Sequence, residues 1–130
     1  MTEHEFKNRT KDIALRVIRL VETLPNTHSA QVIGKQLLRS ATSIGANYRA
    51  ACRGKSTADL LHKLSIVEEE ADESVYWLEL LIEAEMVPNS KLSPLIGDIN
   101  EIVAMKVSSI KTLRSRKNGQ SKIQNLKSKI

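Results

Sequence analysis

The chain has 130 residues, 20 Lys/Arg, 15 Asp/Glu and a formal net charge of +5. That length limits it to one domain, long enough to bury a core without disulfides or metal. A single cysteine, Cys52, excludes an internal disulfide; aromatic content of 3% requires an aliphatic core; and no apolar run approaches the roughly 18 residues of a membrane span.

The first predicted helix covers Thr2 to Leu24, with Phe6, Ile13, Ala14, Val17, Leu20, Val21 and Leu24 at helical spacing before Pro25-Asn26. The second begins near Thr27 or Ser29, both suited to an N-cap, and carries Ile33, Leu37, Ala41, Ile44, Tyr48 and Ala51 to a stop at Gly54. The third starts at Ser56, where Ser56-Thr57-Ala58-Asp59 resembles a capping box, and runs to about Val87. Its main stripe is Leu60, Leu64, Val67, Ala71, Val75, Leu78 and Ile82. The fourth is placed from Ser93-Pro94, through Leu95, Ile99, Ile102, Val103, Ile110 and Leu113, to Asn118-Gly119. No strand alternation is present. The expectation is an all-α, up-down four-helix bundle over residues 1–117, followed by a basic C-terminal tail, 118–130, expected to be mobile. The polar N-terminus lacks a signal-peptide pattern, and a cytoplasmic protein with no membrane partner is expected.

Catalytic patterns fail on inspection. Gly54-Lys55-Ser56-Thr57 copies the end of a phosphate-binding loop, but Arg49 occupies the first glycine position and the preceding segment is helical. Asp59-Leu60-Leu61-His62 is the nearest approach to a bundle metal motif and has no second copy. Cys52 has no CxxC partner or nearby histidine and reads as a small packing residue. No enzyme, metal or cofactor is expected.

The charge is unevenly distributed. Eight Lys/Arg against four Asp/Glu give +4 over residues 1–50; four against ten give −6 over 51–100; eight against one give +7 over 101–130. Arg49, Arg53 and Lys55, with Lys111, Arg114, Arg116 and Lys117, are the candidate nucleic-acid contacts. Without interleaved exposed aromatics, binding to RNA or DNA is expected to be phosphate-driven and weakly sequence-specific. A protein-interaction scaffold with a protein partner is the alternative.

Two further clusters stand out. On a wheel of about 100° per residue, Ile66, Tyr76, Trp77, Leu80 and Val87 lie roughly 160–260° from Leu60, opposite the main stripe. Ile66, Tyr76, Trp77 and Leu80 are therefore the expected homo-oligomer interface. Arg39, Ser43 and Asn47 of the second helix are expected to form a structural polar network with Glu70 and Glu73 of the third.

The stretch from Gln36-Leu37-Leu38-Arg39-Ser40 through Ser43-Ile44-Gly45-Ala46-Asn47 to Glu73-Ser74 and Tyr76-Trp77-Leu78 resembles the bacterial four-helix-bundle family, also called the 23S rRNA intervening-sequence protein family. The resemblance covers roughly residues 5–115. It implies an up-down bundle and a ring-shaped homopentamer. It also implies kinship with the accessory variability protein of diversity-generating retroelements, which binds nucleic acid. It supplies no catalytic residues.

Overall fold

The structure, a computed structural model, describes residues 1–105. Helices α1 (Glu3–Glu22), α2 (His28–Cys52) and α3 (Thr57–Glu83) precede α4, which begins at residue 89 and is helical through residue 105. No strand occurs among the described residues.

Three helices begin on a hydroxyl cap. The side chains of Thr2, Thr27 and Ser56 accept from the amides of Glu5, Ala30 and Asp59, at 3.1, 3.3 and 3.1 Å. Each satisfies one otherwise orphaned N–H, an interaction typically worth about 1 kcal/mol. Gly54 follows the end of α2 without a left-handed φ. Its small size is what the turn uses: a Cβ there would lie 3.1 Å from the Ala51 carbonyl oxygen and 3.2 Å from Asp59 Oδ2.

Short connections make consecutive helices antiparallel, and the contacts follow that order. Gly34 faces Val21 and Leu24 while Gly45 faces Thr10. These two glycines let α1 and α2 approach closely. Between α2 and α3, the Ser74 hydroxyl donates to that of Ser40 at 2.9 Å. Helix α4 returns beside α1, where Arg9 makes two bonds to Glu101, at 2.9 and 3.0 Å, and Arg16 binds Asp98 at 2.6 Å. The aliphatic core is centred on Ile13, Val17, Leu37, Ile44, Val67, Leu78, Leu81, Ile99 and Ile102. Among the described residues, every buried side-chain polar atom has a hydrogen-bond partner.

Two helix boundaries differ from the sequence expectation. Helix α3 ends at Glu83, not near Val87. Glu85 adopts φ 60°, the Met86 amide donates to the Leu81 carbonyl at 2.9 Å, and the Glu85 amide donates to that of Ile82 at 2.9 Å. This paired closure ends a helix and usually places glycine at the left-handed position. It also turns Val87 inward to 7% exposure, correcting its assignment to the outer face. Helix α4 starts at residue 89 rather than near Ser93-Pro94. The Pro88 carbonyl accepts from the Lys91 amide at 3.0 Å, and the earlier start delivers Leu92, 2% exposed, to the core. Pro94 therefore lies on the exposed side of the helix, beyond its first turn.

Candidate nucleic-acid interface

Ion pairing separates the cations that hold the bundle together from those that face solvent. Arg9 and Arg16 bind α4 carboxylates; Arg39 binds Glu70 and Glu73. These contacts hold Arg9 and Arg39 more firmly protonated than usual, chiefly through the hydrogen bonds they donate to Glu101 and Glu73. Lys11, Arg49 and Arg53 make no ion pair among the described residues.

Those three cations converge. The seam between α1 and α2 opens into a groove of about 420 Å³, with Lys7 and Lys11 on the α1 rim and Arg49 and Arg53 on the α2 rim. Each pair is four residues apart, so helical periodicity sets both of its cations on one face. Ala14, Gly45 and Ala46 leave the groove open between the rims, and Thr10 and Thr42 add hydroxyl oxygens. A Cβ on Gly45 would come within 3.2 Å of Thr10 Oγ1. No carboxylate among the described residues lines the groove. Lys7 alone has an acidic neighbour, Glu3, at 3.3 Å.

Of the sequence candidates, the structure brings Arg49 and Arg53 together and adds Lys7 and Lys11, which sequence reasoning missed. Their four-residue spacing was visible, but their position opposite Arg49 and Arg53 depends on helix pairing. Lys55 is not in this groove. It lines a separate depression of about 610 Å³ at the bundle end, beside Glu3 and Cys52. Lys55 therefore does not share a groove with Arg49 and Arg53. Lys111, Arg114, Arg116 and Lys117 lie outside the described residues.

The polar network is smaller than expected. Arg39 reaches Glu70 Oε2 at 3.2 Å and also Glu73, while Trp77 Nε1 donates to Glu73 Oε1 at 3.3 Å. The Arg39 guanidinium, assisted by Trp77, holds the Glu73 carboxyl below its ordinary value. Ser43 and Asn47 do not join this network. Ser43 donates to the Arg39 carbonyl and Asn47 to the Ser43 carbonyl, both within α2, each using the backbone acceptor one turn back. The buried Ser40–Ser74 pair links the same two helices.

Tyr76 is 53% exposed, and Ile66 and Leu80 are half-buried. Trp77 is displaced from the outer face: it lies on the α3 flank, packed against core residues and stacked edge-on with Tyr76 at 5.1 Å. The wheel missed this because it grouped a 100° arc whose edge faces α2. The core also uses Leu81 rather than Ile82 as its fully buried residue at this end.

The remaining reactive group is restrained. Burial, followed by the hydrogen bond with Glu3, pushes the Cys52 thiol above its ordinary value, which disfavours the thiolate. His62 is exposed, and no cluster of three or more His, Cys, Asp or Glu suited to a metal occurs among the described residues. No described helix is long and apolar enough to cross a membrane.

Four antiparallel helices with a cationic seam define an all-α bundle carrying a candidate anion-binding surface. The family model for 23S rRNA-intervening sequence protein matches residues 2–108, and the chain belongs to that family. It is also similar to a solved structure from Bacteroides thetaiotaomicron VPI-5482, described as a protein of unknown function from the S23 ribosomal protein family. The two share 40% identity, with a TM-score of 0.79, over 85% of this chain and 99% of that one. No curated protein matches.

Proposed function

We propose that this protein is a non-enzymatic, cytoplasmic nucleic-acid-binding bundle that contacts backbone phosphates with weak sequence specificity. The observation carrying this reading is the convergence of Lys7, Lys11, Arg49 and Arg53 on a groove that no carboxylate lines. A polyanion brought to Lys11, Arg49 and Arg53 replaces counterions rather than internal ion pairs, and at Lys7 it competes with Glu3, so binding is favoured at low salt. The family's description, which refers to an intervening sequence of 23S rRNA, supports an RNA connection. Among the described residues the groove has no aromatic lining on which bases would stack.

The proposal includes self-association through Tyr76, Leu80 and Ile66, with Trp77 at the edge of the contact; the ring-shaped homopentamer implied by the family resemblance is the expected assembly. Exposed Tyr76 is the observation favouring a contact surface. The test is solution mass with and without a mixed RNA and DNA pool at two salt concentrations. The reading expects a multimer that gains nucleic-acid mass at low salt and loses it at higher salt. A monomer contradicts self-association, and absence of bound nucleic acid at low salt contradicts the binding function. Capture of a protein partner that survives nuclease, with no nucleic-acid binding, supports the scaffold alternative instead.

A further inference from the structure

We infer that the α1/α2 groove seats a single RNA strand, with phosphates on the cationic rims and a ribose hydroxyl toward Thr42 on the floor. This rests on the nucleic-acid-binding reading above and specifies its ligand.

Packed helices lie about 8–10 Å apart axis to axis. A nucleic-acid duplex, whose major groove alone is about 12 Å wide, is too broad to enter such a seam. One extended backbone is narrow enough to enter. Along each rim, the four-residue separation of Lys7 from Lys11, and of Arg49 from Arg53, corresponds to about 6 Å of helical rise. Two cations in each row meet successive charges on one strand, whereas a duplex rests on the outer edges alone.

The floor then distinguishes sugars. Thr42 Oγ1 spends its proton on the Leu38 carbonyl at 2.7 Å, and Thr10 Oγ1 spends its proton on the Lys7 carbonyl at 3.0 Å. On the α1 rim, the Asn8 amide nitrogen faces His4 Nε2 at 3.2 Å. Thr10 is 1% exposed and out of a ligand's reach, so of these two threonines Thr42 alone offers lone pairs, rather than a proton, to a ligand. Phosphate oxygens, which only accept, gain nothing from them and remain at the cations. A ribose 2′-hydroxyl can donate to half-buried Thr42; deoxyribose has no such donor. The absence of an aromatic platform directs the bases away from the groove and keeps recognition sequence-tolerant.

The test is fluorescence-anisotropy titration of the full chain with a labelled 12-nucleotide single-stranded RNA, the same sequence as DNA, and the corresponding RNA duplex. Titrations are repeated on Lys11→Glu/Arg49→Glu, on the milder Lys11→Gln/Arg49→Gln, and on Arg19→Glu, which lies in the α1/α4 depression. Circular dichroism checks that each variant is folded. The inference expects about fivefold tighter binding to RNA than DNA, from one hydrogen bond. It expects weaker binding still to duplex, about 100-fold loss in the double charge reversal from two charged contacts, and little change in Arg19→Glu. Wild-type protein that binds none of the three probes overturns the proposed function itself. Binding that survives both groove variants, favours duplex, or is equal for RNA and DNA overturns this inference while leaving that function standing. Competition by polyglutamate as effective as by RNA overturns it in favour of an acidic protein ligand.

Discussion

Helix α2 has two flanks that use arginine in opposite ways. Toward α3, Arg39 is held by Glu70 and Glu73 and links two helices. Toward α1, Arg49 and Arg53 line a groove without a carboxylate. All three are arginines on one helix and contribute equally to net charge. The difference teaches that a basic surface is defined by which cations the fold leaves unneutralised, not by how many the chain contains. Neighbouring acids convert Arg39 into a tie between helices; their absence leaves Arg49 and Arg53 available to an external anion.

The largest expected effect follows from exchanging the roles of these flanks. Lys11→Glu/Arg49→Glu should weaken RNA binding by about 100-fold while the melting temperature stays near wild type, since both side chains are exposed. Arg39→Gln should do the reverse: a lower melting temperature, with RNA affinity within about twofold of wild type, since its site faces α3. Anisotropy and thermal melts on the same samples check both outcomes. Comparable loss of affinity in the two variants would erase the distinction.

A buried contact on the α3 flank gives an intermediate effect. Ser74→Ala removes the hydroxyl bond to Ser40 and should cost about 1 kcal/mol, measured by urea unfolding, with RNA affinity unchanged. Away from both flanks, Glu85→Gly should stabilise by about 1 kcal/mol, because glycine accepts the left-handed backbone that closes α3. No stabilisation would show that contacts of Glu85 compensate for its backbone cost.

The smallest effect is a pH dependence of the α3 flank. Glu73 titrates below its ordinary value of 4.5 when folded, chiefly because of Arg39. Its contribution is therefore complete above about pH 4.5, the unfolded value, and is lost as pH falls through the lower folded value. Thermal melts from pH 6 to pH 3 should show a shallower acid loss in Glu73→Gln than in wild type.

Much of the fold was legible because burial and helix periodicity coincide. Thr27 and Ser56 are visible caps, and Leu37, Ile44, Leu64, Val67 and Leu78 occupy evident stripes. The misplaced boundaries had local causes. Pro94 imitates a helix start although Leu92 must reach the core, and Glu85 adopts a conformation for which the sequence offers no glycine. The groove was only half legible. Arg49 and Arg53 share a helix face, but Lys7 and Lys11 join them through the antiparallel pairing of α1 with α2. The pairing of Arg39 with Glu70 and Glu73 was legible, whereas the bond of Asn47 within its own helix was not. Tyr76 marked an exposed apolar position, whereas the partial covering of Trp77 depends on packing against the core.

The most direct test is the salt dependence of single-stranded RNA affinity in wild type and Lys11→Gln/Arg49→Gln. Four groove contacts predict a wild-type slope of log K against log salt of about −3, and removing two should reduce its magnitude by about 1.4. A variant slope equal to that of wild type would contradict the claim that phosphates sit between α1 and α2.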